Sequence, residues 1–143
     1  MSKGISNIAV SASTTLSTCL SAAGKNRNLT MPLLGLGTFE MNGETTIRSA
    51  VRNALDLGYR RIDCAPVYFN EHLIGDALFD YLHNPSSKPS DKSDRKLSLL
   101  KREDIFITSK LASPFHRKEH VESALRKTLS DLRTDYLDLV CYI

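Results

Sequence analysis

Asp63, Tyr68 and Lys110 are the side chains of this sequence that, brought together, could move a proton. A phenol ordinarily titrates at a pKa of about 10, and an ammonium beside it favours the phenolate. A carboxylate paired with the ammonium keeps it charged and oriented. A tyrosine tuned in this way can give or take a proton near neutral pH. Two of the three lie in one stretch, Gly58–Gly75, which reads GYRRIDCAPVYFNEHLIG. Asp63 falls where a short apolar strand centred on Ile62 should end. Tyr68 follows in the loop beyond, before a helix-like segment from Glu71. Lys110 takes the matching place at the end of a later apolar run, Ile105–Lys110. If the two strands are neighbours in a parallel sheet, all three meet at its carboxyl rim, where such folds gather ligands. Two of them also have a plainer reading, Asp63 as a turn carboxylate bonded to its own backbone and Tyr68 as an ordinary loop tyrosine.

Other patterns carry less. His116-Arg117-Lys118-Glu119-His120 spells H-x-x-E-H, and its histidines could share a helix face. The segment starts a helix, where polar residues are solvated, and no convincing third ligand accompanies it, so no metal site is assigned. Cys64 stands beside Asp63, which would raise a thiol's pKa, the wrong direction for a nucleophile. It reads as a small buried strand residue. The glycines of Leu33–Gly37 (LLGLG) suggest close approach of backbone or ligand, but no phosphate-loop pattern follows them.

The elements that must position these residues follow from periodicity. Leu33–Gly37, just past Pro32, fits a short buried strand. Ile47, Ala50, Val51, Ala54 and Leu55 form the stripe of an amphipathic helix that starts near Glu44 and is closed by Gly58. A strand over Arg61–Ala65 follows, then a helix over about Glu71–Leu82 with Ile74, Ala77, Leu78 and Tyr81 on one face. Residues 84–103 read as a solvated loop, with Leu97–Leu100 packing as a short turn. The strand Ile105–Lys110 comes next. Pro114 begins a third helix striped with Val121, Ala124, Leu125, Thr128, Leu129 and Leu132. Tyr136–Ile143 (YLDLVCYI) is the fourth strand. This β-α order predicts an α/β fold with about four parallel strands, three helices and right-handed crossovers. It is either a small doubly wound sheet or half of a (β/α)8 barrel, which takes about 250 residues.

Bulk properties narrow the class. The chain has 143 residues, 41% of them hydrophobic and 24% charged, as a globular domain does. A net charge of +3, with no interleaving of aromatic and basic residues, argues against a nucleic-acid partner. No apolar run approaches the roughly 18 residues of a membrane span. Three cysteines without a C-x-x-C point to a reducing compartment, and so to the cytoplasm. Residues 1–30 are rich in Ser, Thr, Ala and Asn and hold no acid. That resembles a mitochondrial transit peptide but lacks the arginine-rich face, so a leader or short hairpin is favoured, with Ala23–Asn26 as its turn.

With these residues in place, the stretch from Met31 to about Leu139 resembles the aldo-keto reductase family, in the family's own order. MPLLGLGTF is similar to its first barrel strand, and GYRRIDCAPVYFNEHLIG to its first signature. REDIFITSKL resembles the lysine strand, and ALRKTLSDLRTDYLDL the helix and strand after it. The resemblance implies that residues 31–143 are the front half of a (β/α)8 barrel that uses NADPH, less often NADH, to reduce small aldehydes and ketones. It implies that Tyr68 protonates the carbonyl oxygen as hydride arrives, that Lys110 tunes Tyr68, and that Asp63 holds Lys110. It also sets Thr38, Phe39 and Asp63 against the cofactor, the first two near the nicotinamide ribose and substrate mouth. Arg61, Phe39 and Ala112 depart from the family's usual residues.

The fourth strand departs further. LDLVCYI puts Ile143 at or near the place of the family's carbonyl-orienting histidine. The chain therefore reads as a truncated reductase, with strands five to eight and their cofactor loops outside it, and its turnover without them is an open question. Val140–Ile143 would form an open edge apt for self-association. Two other readings stay open: a non-catalytic half-barrel that at most pairs with a partner, and an independent small α/β binding domain.

Overall fold

The structure, a computed structural model, describes residues 13–15, 30–84 and 100–143. Strand β1 (Ser13–Thr15) pairs antiparallel with β2 (Thr30–Pro32). The main sheet has four parallel strands, β3 (Leu36–Gly37), β4 (Arg61–Asp63), β5 (Phe106–Leu111) and β6 (Leu139–Tyr142), neighbours in that order. One helix follows each of the first three: α1 (Glu44–Asp56), α2 (Glu71–His83) and α3 (Lys118–Asp131). The arrangement is that of a partial (β/α)8 barrel.

Sequence spacing explains each helix. Ile47, Val51, Ala54 and Leu55 recur every three to four residues and are the buried face of α1. The helix closes as Gly58 turns to φ +91°, the left-handed region that glycine enters without cost. There the Gly58 N–H donates to Leu55 O at 3.1 Å and the Tyr59 N–H to Ala54 O at 2.9 Å, which satisfies two orphan carbonyls. Gly75 serves differently. A Cβ on it would fall 2.1 Å from the Asp131 carbonyl oxygen, so α2 meets the end of α3 backbone to backbone.

The core lies between helices and sheet. Ile47, Val51 and Leu55 of α1, and Ile74, Leu78 and Tyr81 of α2, pack on Ile62, Cys64, Ile105 and Ile107. Ile62 and Ile107 are paired across β4 and β5, and alternation turns Arg61, Asp63, Thr108 and Lys110 to the opposite face. The Tyr81 hydroxyl donates to Asp56 Oδ1 at 2.7 Å and ties α1 to α2.

Some boundaries differ from the sequence reading. Of Leu33–Gly37, only Leu36 and Gly37 enter the sheet, while Leu33 and Leu34 are about half exposed. A Cβ at Gly35 would meet the Arg61 side chain at 3.0 Å, so the approach to β3 is shaped by that arginine. The fourth strand begins at Leu139 and not at Tyr136, because side chains fasten the residues before it. The Asp138 carboxylate accepts the Ile107 N–H at 2.8 Å, and Arg102 bonds both Asp138 Oδ2 at 2.9 Å and Tyr136 O at 2.8 Å. Pro114 heads a one-turn 3-10 segment, Ser113–Phe115, and α3 starts four residues later at Lys118. Thr128 and Leu132 of its stripe are buried, whereas Val121, Ala124, Leu125 and Leu129 are half-buried. The proposed turn at Ala23–Asn26 lies outside the described residues, as do 85–99 of the loop reading. No helix among the described residues is long and apolar enough to cross a membrane.

Candidate active site

Parallel pairing brings the ends of β4 and β5 side by side, and the three proton-handling candidates meet there. Lys110 Nζ donates to Asp63 Oδ1 at 2.5 Å, to the Cys64 carbonyl at 2.9 Å and to the Tyr68 hydroxyl at 3.0 Å. An ammonium has three protons, so each has an acceptor. Burial alone would lower the Lys110 pKa, but the bonds to Asp63 and Tyr68 outweigh it and leave the group above its ordinary value. The lysine is therefore charged at neutral pH. Arg61 Nη2 approaches the other Asp63 oxygen at 3.8 Å, a second cation beside the same carboxylate.

Local backbone explains how Tyr68 arrives. Ala65 is extended, and Pro66–Tyr68 forms one 3-10 turn with proline at its start, where its missing N–H costs nothing. Phe69 then adopts φ +56°, an uncommon left-handed setting for an aromatic residue, and reverses the chain into α2. Tyr68 is left facing Lys110, with the ammonium 4.8 Å from its ring centroid.

Thr38 and Phe39 divide. Thr38 is fully buried, and its hydroxyl and N–H both donate to the Asp63 carbonyl, at 2.8 and 3.1 Å. It splices the chain after β3 to the end of β4. Phe39 is 64% exposed and meets the Tyr68 ring edge-on, centroids 5.0 Å apart. Cys64 is fully buried and its thiol is pushed up by burial above all, which suits a core residue. His116 Nε2 lies 2.9 Å from the Leu111 carbonyl oxygen, and among the described residues no group of three or more His, Cys, Asp or Glu could hold a metal.

Two buried polar residues escaped sequence reasoning. Asn70 reaches Thr38 O and Met41 O, and Glu71 accepts the Ser109 hydroxyl at 2.6 Å, next door to Lys110. An Asn-Glu pair opening a helix reads as ordinary capping, so no local signal set them apart. A cleft of about 430 Å³ lies against Glu71, walled also by Phe69, Lys110, Ala112, Phe115 and Lys127 among others. Neither Asp63 nor Tyr68 lines it, so it is not where the three groups converge.

Comparison with known proteins places the chain in a family. The Aldo/keto reductase family pattern matches residues 33–142. Aldo-keto reductase family 1 member A1 of Cricetulus griseus is 46% identical over 109 residues, 76% of this chain and 30% of that protein. The Gallus gallus counterpart is 47% identical over the same share of this chain and 29% of its own. The chain thus spans about 30% of the length of the curated relatives it matches. Among solved structures, an aldose reductase from Schistosoma japonicum aligns with a TM-score of 0.63 and 46% identity, over 80% of this chain and 34% of that one. An aldo-keto reductase from Bombyx mori in complex with NADP aligns with a TM-score of 0.65 and 32% identity, over 80% of this chain and 35% of that one. The family pattern covers most of the sequence and the solved relatives share the fold, and the chain belongs to the aldo/keto reductase family.

Proposed function

We propose that this chain contributes the proton-donating side of an oxidoreductase site that reduces small aldehydes and ketones with NADPH, NADH being the alternative donor. One observation carries the reading: the Lys110 ammonium joins Asp63 and Tyr68 in one hydrogen-bonded set at the carboxyl rim. In the reaction, the carbonyl carbon accepts hydride and its oxygen accepts the Tyr68 phenolic proton. Lys110 stabilises the phenolate that remains, and water returns the proton. Asp63 keeps Lys110 charged and aimed.

The nicotinamide, when bound, supplies the hydride. The donor set fits its reacting end, since Asp63 presents a partly exposed carboxylate that can accept a ribose hydroxyl. Phe39 offers an exposed ring beside Tyr68, and the Thr38 backbone fixes the loop that carries it. The relative solved with NADP supports this choice of cofactor. Free thiols at Cys64 and Cys141 suit the reducing cytoplasm, where we place the protein.

The test is a titration of NADPH into the purified chain, read by nicotinamide fluorescence, with Tyr68→Phe alongside. The reading expects saturable binding in the range of about 1–100 μM, with Tyr68→Phe retaining binding and losing turnover. Turnover undiminished in Tyr68→Phe would overturn it.

A second reading is favoured by β6. Its Leu139–Tyr142 backbone pairs with β5 on one side, while Tyr142 is 69% exposed. Such an edge can accept a strand from a second copy. Light scattering showing a concentration-dependent dimer that Val140→Pro abolishes would support it, and a strict monomer would remove it.

A further inference from the structure

Phe39 owes its place beside Tyr68 to a turn. The Met41 N–H donates to Thr38 O at 3.3 Å, which closes residues 38–41, and Glu40 within it is held at φ +58°. A glutamate in the left-handed region persists only where its surroundings hold it. Asn70 supplies the hold. Its Nδ2 donates to Thr38 O at 2.8 Å and to Met41 O at 2.9 Å, so one amide bridges both ends of the turn.

The same residue gives up its usual work to do this. Asn70 precedes the first residue of α2, where asparagine normally bonds its own helix through the side-chain oxygen. No such bond forms here, and Oδ1 is buried without a partner. A buried acceptor left unpaired is costly. Both amide protons go to the turn, and the left-handed Phe69 between Tyr68 and Asn70 lets one side chain face Lys110 while the other faces the turn.

We propose that Asn70 is a positioning residue: its side-chain amide locks the 38–41 turn so that the Phe39 ring stands fixed against the Tyr68 ring. The meaning of this lock for substrate rests on the carbonyl-reductase reading above, with Phe39 forming a fixed wall beside the reacting hydroxyl.

The experiment is NMR on the isotope-labelled 143-residue chain. In the native protein, the Asn70 Nδ2 protons should exchange with water at least about 100-fold more slowly than those of a free asparagine amide, as buried bonded groups do. Ring-to-ring cross-peaks between Phe39 and Tyr68 should be present. Asn70→Asp keeps the shape but cannot donate, and should lose those cross-peaks while the Tyr68 hydroxyl stays beside Lys110. Fast amide exchange in the native chain, or cross-peaks that survive in Asn70→Asp, would overturn the proposal. If Asn70→Asp does not fold, the native exchange rate decides. None of these signals depends on turnover, so failure of the carbonyl-reductase reading, seen with Tyr68→Phe, is separable.

Discussion

Asp63 and Lys110 are not opposite each other in the sheet: Asp63 pairs with Thr108, yet the Lys110 ammonium returns across two residues to within 2.5 Å of its carboxylate. The contact is diagonal, and it works because Thr108 and Lys110 share a face of β5. A lysine stem is long enough to span the offset and still leave its head among three acceptors. The site is thus a property of register as much as of residue type.

Lys110→Met keeps the stem and deletes the charge. Tyr68 and the Cys64 carbonyl then lose a donor, and the Asp63 carboxylate is left with the more distant Arg61 among the described residues. On the function proposed above, turnover of a carbonyl substrate should fall by about 10²-fold or more, the ordinary worth of a proton-transfer partner. Steady-state kinetics with NADPH in excess checks this, and Lys110→Arg should restore little because a planar fork cannot replace a point charge here.

The same lysine predicts an alkaline limit. Its folded pKa is raised, so the folded state holds this proton more tightly than the unfolded chain does. The stability it contributes is complete below the unfolded value of about 10.4 and is lost as pH rises through the folded value. Urea midpoints measured across the alkaline range should fall for the native chain and fall less for Lys110→Met.

Glu71 works with the opposite cost. Burial above all raises its pKa, against the bonds from Ser109 and Thr128 that favour the carboxylate. The folded state therefore binds this proton more readily than the unfolded one. Stability should decline as pH rises from about 4.3, the unfolded value, through the folded pKa. Glu71→Gln should flatten that slope and leave neutral-pH stability equal or higher. Glu71→Ala should lower it by about 1–3 kcal/mol, because two buried hydroxyls lose their acceptor.

Gly75→Ala tests the close approach of α2 to α3. Its new Cβ would overlap the Asp131 carbonyl, and the helices must separate. A loss of about 3 kcal/mol is expected, at the upper end of overpacking effects. Gly37→Ala has no atom within 4 Å of the added carbon and should change stability by no more than about 0.5 kcal/mol. Thermal unfolding of the two variants side by side decides it.

The rim was legible in the sequence because it depends on short-range pattern. Apolar runs around Ile62 and Ile107 set two strands, and strand ends placed Asp63 and Lys110. The faces of α1 and α2 were legible for the same reason, their buried residues falling at helical spacing. Asn70 was not legible, since a side chain reaching backbone about 30 residues away leaves no local trace. The start of β6 was missed because Asp138 takes a backbone N–H with its side chain, and Tyr136 looked like strand for its apolar neighbours.

Arg102 stands at the near end of β5, where it grips Ile105, Thr134, Tyr136 and Asp138 together. That grip fixes the alignment of β5 with β6 from within residues 102–138. A designer who trims the chain around these two strands should keep Arg102, because one side chain clasps the heads of both.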